Sequence, residues 1–483
     1  MEPQHLRFGG GAAETAIHPL VAVYLLIAIV LIFILPRSKA IAPFLLAFFT
    51  IPIGQVVVLG GFHFTALRVL ILAGLARRAI SRGSSSEPKY PGGFNALDWA
   101  VVLWSVSAVV AFCLQWMETQ ALIRSLGDLL DTLGGYLVVR YLIPDGEAVR
   151  RVIKTLATIC AILGVCMINE QISHINVFGL VGGIPLAVAV RDGHVRSSGT
   201  LGYLWAGAFA GVLIPLFFWL WTEGKSWMAA CAGLAGAAAM VITSYSSTSY
   251  LALGGSILGL AFWPLRRWMR LVRWGLVTML VGLHMVMKAP VWALIARIDL
   301  TGSSSGDQRY QLVNNCIRHF GDWWLTGYKN YNDWGWGMWD LCNQFVAVAL
   351  TGGLLTLIFY IAIFSRSFGA IGTARKLVNG DRGQEWLLWC LGSALFATAV
   401  AHFGINYMSQ LIMGFFPLVA CISVVTFEVR QRAARSVETP GQGQFASAPT
   451  VTGTYSPIGA PKQETRQGFS TGRGDRPLPL LKA

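Results

Sequence analysis

Apolar runs separated by short polar loops extend along most of the chain. A membrane-spanning helix needs about 20 apolar residues, because each residue rises about 1.5 Å and the hydrocarbon layer is roughly 30 Å thick. This length predicts thirteen spans: 17–35, 40–59, 62–80, 97–115, 120–141, 149–168, 200–221, 226–244, 248–265, 272–290, 344–365, 385–402 and 407–427. The pattern therefore predicts an all-α fold, a polytopic transmembrane helix bundle of 12–13 spans within residues 17–427.

The second and third predicted spans are irregular. Gly60-Gly61 interrupts the stretch that they share, and Arg68 lies in the first half of the third. A re-entrant hairpin or a single broken helix is therefore an alternative. The first span is long enough to cross a membrane, and no small-residue cleavage site follows it. We expect it to be a retained membrane helix after a short N-terminal segment, 1–16.

The composition is also typical of a membrane protein. Hydrophobic residues make up 55% of the chain, charged residues make up 12%, and the mean hydropathy is +0.58. Soluble domains contain about 25% charged residues. The net charge of +14 resembles that of a nucleic-acid-binding protein, but the basic residues lie in short loops between apolar runs. We therefore expect the lipid bilayer, and no nucleic acid, as a partner.

Basic residues are concentrated in four loops that fall on one side of the bundle if there are thirteen spans. These residues are Arg77, Arg78, Arg82 and Lys89; Arg150, Arg151 and Lys154; Arg266, Arg267, Arg270 and Arg273; and Arg366, Arg375, Lys376 and Arg382. Short loops rich in arginine and lysine stay on the cytoplasmic side. Residues 428–483 fall on the same side, and their basic start and polar composition predict a disordered basic cytoplasmic tail.

Two long connections face the other way, residues 169–199 and 291–343. In the second, Arg309, Leu312, Val313, Cys316, Ile317 and Phe320 recur at helical spacing. This spacing predicts an amphipathic helix with cap candidates at Ser303–Ser305 and Asp307. The tryptophans that follow suit either the lipid headgroup region or stacking on sugar rings. This segment is the predicted large helical extracytoplasmic loop.

Charged residues within the fifth span need a partner or a function, because an unpaired charge in a membrane is costly. Arg124, Asp128 and Asp131 lie at i, i+4 and i+7, which places them on one face of a helix. One interpretation is an internal ion pair that stabilises the bundle. The other is the lining of a polar cavity that an ionic substrate reaches.

The eight cysteines show no metal-binding or redox spacing. Six lie in apolar runs, where small buried side chains are expected. Only Cys316 and Cys342 lie in a polar segment, where a disulfide is an alternative to two free thiols. No metal site is predicted.

Three polar features follow in order on the predicted outer side. Arg196 lies just before the seventh span, and Ser244–Ser249 forms a short turn between two spans. The long loop then carries Arg309, Trp323–Tyr328 and Asp340–Asn343. Arginine guanidinium groups match phosphate oxygens in pairs, so these features favour an anionic headgroup as ligand.

This ordered set resembles the O-antigen ligase and O-antigen polymerase superfamily over about residues 190–365. In that superfamily an Arg-x-x-Gly segment opens a span, a serine-rich turn joins two later spans, and a periplasmic loop contains an arginine-bearing helix. The stretches that carry the resemblance are Arg196–Gly199, Thr243–Ser247, Arg309, Trp324–Gly327, and Cys342–Phe345 with Gly352-Gly353.

The chain departs from the family pattern at two positions. Cys342 stands where the family has a histidine, and Tyr245 stands where the serine-rich turn has an arginine. A thiol is a poor base near pH 7, because its reference pKa is about 8.5. His319, or His194 and His174 in the other outer loop, are the candidates for an imidazole.

The resemblance implies a metal-independent membrane glycosyltransferase without a cofactor. Its donor is a polyprenyl-diphosphate-linked glycan, its site faces the periplasm, and it lies in the bacterial inner membrane with other polysaccharide assembly proteins as further partners. The expected catalytic residues are Arg196, Arg309 and His319. The expected substrate-binding residues are Arg124, Asp128, Tyr245, Ser246, Asn343 and Trp324.

Two activities fit the same donor: a polymerase that extends an O-antigen or exopolysaccharide, and a ligase that moves the glycan to a lipid or protein. A flippase for the lipid-linked oligosaccharide, with Arg124, Asp128 and Asp131 along its path, is the alternative from another class. The chain has no internal repeat of the kind common in transporters, and it has a long outer loop, so the enzyme is favoured. Because the family histidine is replaced, a non-enzymatic homologue is a further alternative.

Overall fold

The computed structural model describes residues 15–59, 62–81, 90–294, 305–378, 380–407 and 410–438. These described residues are mostly helical, with 76% of them in helices. The helices are α1 (Pro19–Ile34), α2 (Ile41–Thr50), α3 (Ala66–Ile80), α4 (Ala96–Trp116), α5 (Thr119–Leu129), α6 (Gly135–Leu142), α7 (Gly146–Ser173), α8 (Tyr203–Glu223), α9 (Trp227–Thr243), α10 (Ser247–Ala261), α11 (Met269–Val286), α12 (Ser305–Arg318), α13 (Phe320–Trp323), α14 (Gln344–Leu377), α15 (Arg382–Ala401) and α16 (Gln410–Glu438).

In the described part of the chain, four short strands form two antiparallel pairs. β1 (Val56–Leu59) pairs with β2 (Phe62–Thr65), with Val56 opposite Thr65. β3 (Ala189–Arg191) pairs with β4 (His194–Arg196), with Ala189 opposite Arg196.

Within the described residues, six helices are long and apolar enough to cross a membrane, which indicates a membrane protein. They are Ala96–Trp116, Gly146–Ser173, Tyr203–Glu223, Met269–Val286, Gln344–Leu377 and Gln410–Arg435. Three shorter apolar helices are Pro19–Ile34, Ile41–Thr50 and Trp227–Thr243. The helical fold class is confirmed, whereas the count of 12–13 spans stays a prediction.

Four segments differ from the expected organisation. The third predicted span, 62–80, begins with β2 and is helical only over α3. The second predicted span, 40–59, is helical only over α2, because the β-branched residues Val56–Val58 pair with β2 in a hairpin. Gly60-Gly61 lies outside the described residues. The fifth predicted span is divided into α5 and α6 by a π-helical turn, Leu130–Gly134. α16 continues to Glu438, so the first residues of the predicted tail are helical, and residues 439–483 lie outside the described residues.

α7 and α9 pack backbone to backbone in the centre of the bundle. A Cβ on Gly164 would lie 2.7 Å from the carbonyl oxygen of Gly236, and one on Gly236 would lie 2.3 Å from that of Cys160. Small residues allow membrane helices to approach this closely. α8 packs beside them and accepts a hydrogen bond of 2.7 Å from Ser256 of α10 at the Gly211 carbonyl.

The basic loops lie together at the end of the bundle where α7 begins, at Gly146. This end, which contains Arg150, Arg266 and Arg375, is here called the basic end. Arg150 forms an ion pair with Glu223. Next to Glu223, the Thr222 hydroxyl accepts a hydrogen bond of 2.9 Å from the Trp386 indole nitrogen. Glu385 accepts from Arg266 at 3.2 Å and from Arg375 at 3.0 Å. Glu428 accepts from the Gly146 nitrogen at 2.7 Å. Three of the four predicted basic loops are therefore joined by side-chain contacts at this end.

α14 contains a break at Gly353, where φ is +75° and ψ is −177°. The segment 323–328 packs into this break. The Leu354 nitrogen donates to the Trp324 carbonyl at 2.8 Å, and the Tyr328 nitrogen donates to the Leu350 carbonyl at 2.8 Å. Two of the stretches that carry the family resemblance, Trp324–Gly327 and Gly352-Gly353, are thus in direct contact.

Candidate functional site

Arg196 lies at the end of β4, on the hairpin that leads into α8. Its side chain is buried, with its Cζ 4.1 Å from the centroid of the Tyr203 ring. Asp192 and Gly193 both have positive φ and close the hairpin. Asp192 pairs with Arg191 at 3.5 Å rather than with Arg196. Burial lowers the pKa of Arg196 from its ordinary value, and the Tyr203 phenol opposes this effect.

The hairpin contacts the serine-rich turn, Ser244–Ser249, that joins α9 to α10. Arg196 Nε donates to the Ser244 carbonyl at 3.5 Å, a long bond, and the Ser197 nitrogen donates to the Thr243 carbonyl at 2.9 Å. Tyr245 has a φ of +44° and stacks on His194 at 4.2 Å. His174, His194 and His319 are the candidates to supply an imidazole in place of Cys342. Of these, the described contacts join His194 to this turn.

Arg309 reaches the same turn from α12. Its Nη2 donates to the Thr248 hydroxyl at 3.1 Å, and that hydroxyl donates to the Gly404 carbonyl at 2.9 Å. Arg309 is 9% exposed and Arg196 is 6% exposed, so both guanidinium groups are largely removed from solvent. The predicted helix over 309–320 lies largely within α12, whereas the cap candidates Ser303 and Ser304 lie outside the described residues. The structure therefore brings the two arginines to one turn, while their catalytic role stays a prediction.

Ser246 and Asn343 are buried at the N-terminal ends of the two helices that follow them. Ser246 is the N-cap residue of α10 and is 2% exposed. The Asn343 side-chain oxygen accepts from the Phe345 nitrogen at 3.0 Å and the Val346 nitrogen at 3.2 Å, so it caps α14. The Trp324 side chain is half exposed, while its backbone carbonyl holds the broken helix.

His319 lies in a different environment from the two arginines. Its ring stacks on Trp334 at 4.5 Å, and its Nδ1 lies 3.1 Å from the Asp322 carboxylate. Trp334 in turn stacks on Tyr328 at 5.1 Å. Within the described residues, these contacts place His319 on an aromatic stack of the long loop, and no hydrogen bond joins it to Arg196 or Arg309.

Cys342 is a protonated thiol beside the site. It donates to the Asp340 carboxylate at 2.9 Å. Burial, followed by this hydrogen bond, raises the pKa of Cys342 to about 12. Burial also raises the pKa of Cys316 to about 12, and both cysteines are free thiols in the structure. A base at the position of the family histidine is therefore not provided by Cys342.

We expect Cys316 and Cys342 to react with a maleimide at pH 8 about a thousandfold more slowly than an ordinary cysteine. A raised pKa leaves the thiol protonated, and the thiolate is the reactive form. Rates measured between pH 7 and 9 should rise about tenfold per pH unit. After denaturation without reductant, both should react fully. If they react only after reduction, they form the disulfide and the free-thiol assignment is wrong.

Arg124, Asp128 and Asp131 belong to an ion network with Arg68 of α3. Arg68 Nη2 lies 2.8 Å from Asp131 and 3.7 Å from Asp128, and Arg124 Nε lies 3.8 Å from Asp128. A Cβ on Gly127 would lie 2.7 Å from the Arg68 guanidinium, so this glycine makes room for it. Arg124 and Asp128 do form an ion pair, but their side chains are 45% and 58% exposed, so the internal, bundle-stabilising role stays a prediction. The described contacts of this network do not join Arg124 or Asp128 to Arg196 and Arg309.

Glu170 is a residue that the sequence interpretation missed. It lies near the end of α7, is 1% exposed, and accepts hydrogen bonds from the Ser198 nitrogen and hydroxyl, both at 2.9 Å, and from the Gly199 nitrogen at 3.0 Å. It therefore fixes the turn that follows Arg196. Sequence reading could not find this role, because a single acidic residue at the edge of an apolar run forms no recognisable motif.

His402 is a second missed residue and lies at the end of α15. It is fully buried, its carbonyl accepts from the Gln344 nitrogen at 2.8 Å, and its Nε2 lies 3.0 Å from the Tyr360 hydroxyl. Its ring packs against Tyr407 at 4.2 Å. Since Gly404 anchors Thr248, His402 supports the segment on which the Arg309 contact rests.

A cavity of about 1060 Å³ lies at the basic end rather than beside the two arginines. Glu147, near the start of α7, lines this cavity. Glu170, near the end of α7, accepts hydrogen bonds from the turn that follows Arg196. The two positions are about 35 Å apart along α7, at 1.5 Å per residue. No group of three or more metal-binding side chains occurs in the part of the chain that the structure describes.

Comparisons of this chain with protein-family models and with curated proteins find no match.

Proposed function

We propose that this protein is a metal-independent glycosyltransferase of the bacterial inner membrane. It polymerises oligosaccharide repeats carried on polyprenyl diphosphate, at the periplasmic face. The observation that carries the proposal is the meeting of Arg196 and Arg309 at the serine-rich turn, through the Ser244 carbonyl and the Thr248 hydroxyl. Arg196, Arg309 and the Thr243–Ser247 part of this turn are among the stretches that carry the family resemblance.

The proposed chemistry needs positive charge at the leaving group. An acceptor hydroxyl attacks the anomeric carbon of the donor glycan, the bond from that carbon to the diphosphate oxygen breaks, and the acceptor proton passes to a base. Negative charge then grows on the diphosphate. Two buried guanidinium groups stabilise this charge more strongly than they would in water, because the surrounding dielectric constant is lower. Arginine also matches phosphate oxygens in pairs.

The two ends of the bundle differ in charge, which supports the proposed orientation. Basic loops favour the cytoplasmic side, and the basic end contains Arg150, Arg266 and Arg375. Arg196 contacts the turn at the far end of α7 and α9. In the proposed orientation, the end that holds Arg196 and the long loop, 291–343, face the periplasm. The basic end and the C-terminal tail are then cytoplasmic.

The test is transfer by the purified protein in liposomes that contain a synthetic polyprenyl-diphosphate oligosaccharide. We expect longer glycans and one released polyprenyl diphosphate for each bond formed. Because the proposed site uses arginines for charge stabilisation, a chelator such as EDTA should leave the rate unchanged within about twofold. The products are separated by chromatography and identified by mass spectrometry.

The same assay distinguishes the other activities. Transfer only to an added lipid or protein acceptor would identify a ligase. Movement of the donor across the bilayer with its diphosphate linkage intact would contradict the enzyme and identify a flippase. Loss of transfer in EDTA, with recovery after adding a divalent cation, would refute the metal-independent mechanism.

A further inference from the structure

Arg78, Tyr90 and Arg140 form a cluster at the basic end, far from the two arginines of the proposed site. The Tyr90 ring centroid lies 5.0 Å from Arg78 Cζ and 5.9 Å from Arg140 Cζ. The loop that contains Tyr90 packs on α16, since a Cβ on Gly92 would lie 2.4 Å from the Phe427 ring. The next residue of α16, Glu428, contacts the start of α7. The cluster is therefore on the side that the basic loops occupy.

Each member of the cluster has a polar atom without a hydrogen-bond partner among the described residues. These atoms are the Tyr90 hydroxyl, Arg78 Nε and Arg140 Nη1. Arg140 is 1% exposed and Tyr90 is 7% exposed, so neither atom is exposed to bulk water. A buried donor without an acceptor costs about 1–3 kcal/mol, and more when it is charged. Three such donors at one place indicate a missing acceptor.

The charges of the cluster do not balance either. Arg140 pairs with Asp98 at 3.3 Å and donates to the Pro91 carbonyl at 2.9 Å. Asp98 also accepts from the Tyr136 hydroxyl and the Asn95 nitrogen, so its two oxygens are already used. The ion pairs within the described ranges provide no second carboxylate for Arg78 or Arg140. Asp98 therefore compensates the buried Arg140 guanidinium, and the described ion pairs leave Arg78 without a carboxylate; positive charge removed from water without a partner is destabilising.

We propose that Arg78, Tyr90 and Arg140 bind a phosphate group. A phosphate supplies both negative charge and several acceptor oxygens, which are what Arg78 Nε, Arg140 Nη1 and the Tyr90 hydroxyl lack. The phosphate comes from the headgroup of an anionic phospholipid or from free phosphate. Basic pockets between helices on the cytoplasmic side of membrane proteins commonly take lipid headgroups. The site lies at the opposite end from the proposed donor site, so it does not depend on the glycosyl transfer.

The test uses the full-length protein in nanodiscs of phosphatidylcholine alone, of phosphatidylcholine with phosphatidylglycerol, and of phosphatidylcholine with inorganic phosphate added. The temperature of unfolding is measured in each. We expect phosphatidylglycerol to raise it if a lipid headgroup fills the site, and inorganic phosphate to raise it if the free ion does. Native mass spectrometry counts the phosphatidylglycerol that stays bound.

Arg78→Gln and Tyr90→Phe should each weaken binding of the effective ligand at least tenfold and remove most of the rise in unfolding temperature. Arg140 is left unchanged, because removing it would leave Asp98 buried and unpaired. Arg273→Gln is the matched control, since it removes one positive charge from an exposed position of α11. It should retain wild-type binding. If neither phosphatidylglycerol nor phosphate distinguishes the wild type from Arg78→Gln and Tyr90→Phe, the site is not a phosphate site.

A final variant separates an external anion from one in the chain itself. Glu87 is the only acidic residue in the stretch 82–89, which lies outside the described residues. We expect Glu87→Gln to keep the response to the added ligand. If it instead lowers the unfolding temperature as much as Arg78→Gln and no added ligand has an effect, the acceptor is this carboxylate and the proposal is wrong.

Discussion

Arg196→Ala and Arg309→Ala are each expected to lower the rate of glycan transfer at least a hundredfold in a protein that remains folded. Removing one group that stabilises developing negative charge typically costs a factor of about 10²–10³ in rate. Both guanidinium groups are largely buried, so water cannot readily replace them. Arg→Lys at either position keeps the charge but loses the planar pair of donors, and should give an intermediate rate.

Initial rates in the liposome assay and unfolding temperatures in detergent provide the measurement. Arg191→Ala and Arg318→Ala are the matched controls, because each removes an exposed arginine from the same hairpin or the same helix. Both controls should transfer at the wild-type rate. Wild-type rates in Arg196→Ala and Arg309→Ala would refute the proposed role of the two arginines, whereas a fall that matches the controls would indicate a general charge effect.

Apolar runs in the sequence predicted most of the helices, but they did not predict the strands between α2 and α3. The apolar runs correspond to helices because the membrane length imposes a simple criterion. Val56–Leu59 and Phe62–Thr65 lie within two of the predicted spans but pair with each other as antiparallel strands. An apolar run of β-branched residues does not by itself distinguish a strand from a membrane helix.

The same limit applies to the site. The sequence singles out Arg196 and Arg309 as candidates because arginines on the predicted outer side are not explained by the bias of basic residues toward the cytoplasm. Their meeting at Ser244 and Thr248 joins residues 48 and 61 positions apart. The periodicity of one helix likewise placed Asp131 beside Asp128, but could not identify Arg68, its partner 63 residues away. Contacts between distant helices are decided by packing, which no local pattern encodes.

Gly353→Ala is expected to destabilise the protein by about 3 kcal/mol or more and to lower glycan transfer with it. A residue at φ +75° and ψ −177° occupies a region that only glycine adopts readily, at a cost of about 1–3 kcal/mol for other residues. A Cβ there would also lie 2.5 Å from the Leu325 carbonyl oxygen, a backbone atom that cannot move aside alone. The substitution therefore separates the 323–328 segment from α14.

Gly369→Ala is the matched control on the same helix. A Cβ on Gly369 meets no heavy atom within 4 Å in the described part of the chain, and alanine favours a helix over glycine by up to about 1 kcal/mol. Unfolding in denaturant should therefore show Gly369→Ala at or slightly above wild-type stability. Equal stability of the two variants would contradict the close contact at the break in α14. If Gly353→Ala is unstable but transfers at the wild-type rate, the break is needed for folding and the 323–328 segment has no part in the transfer.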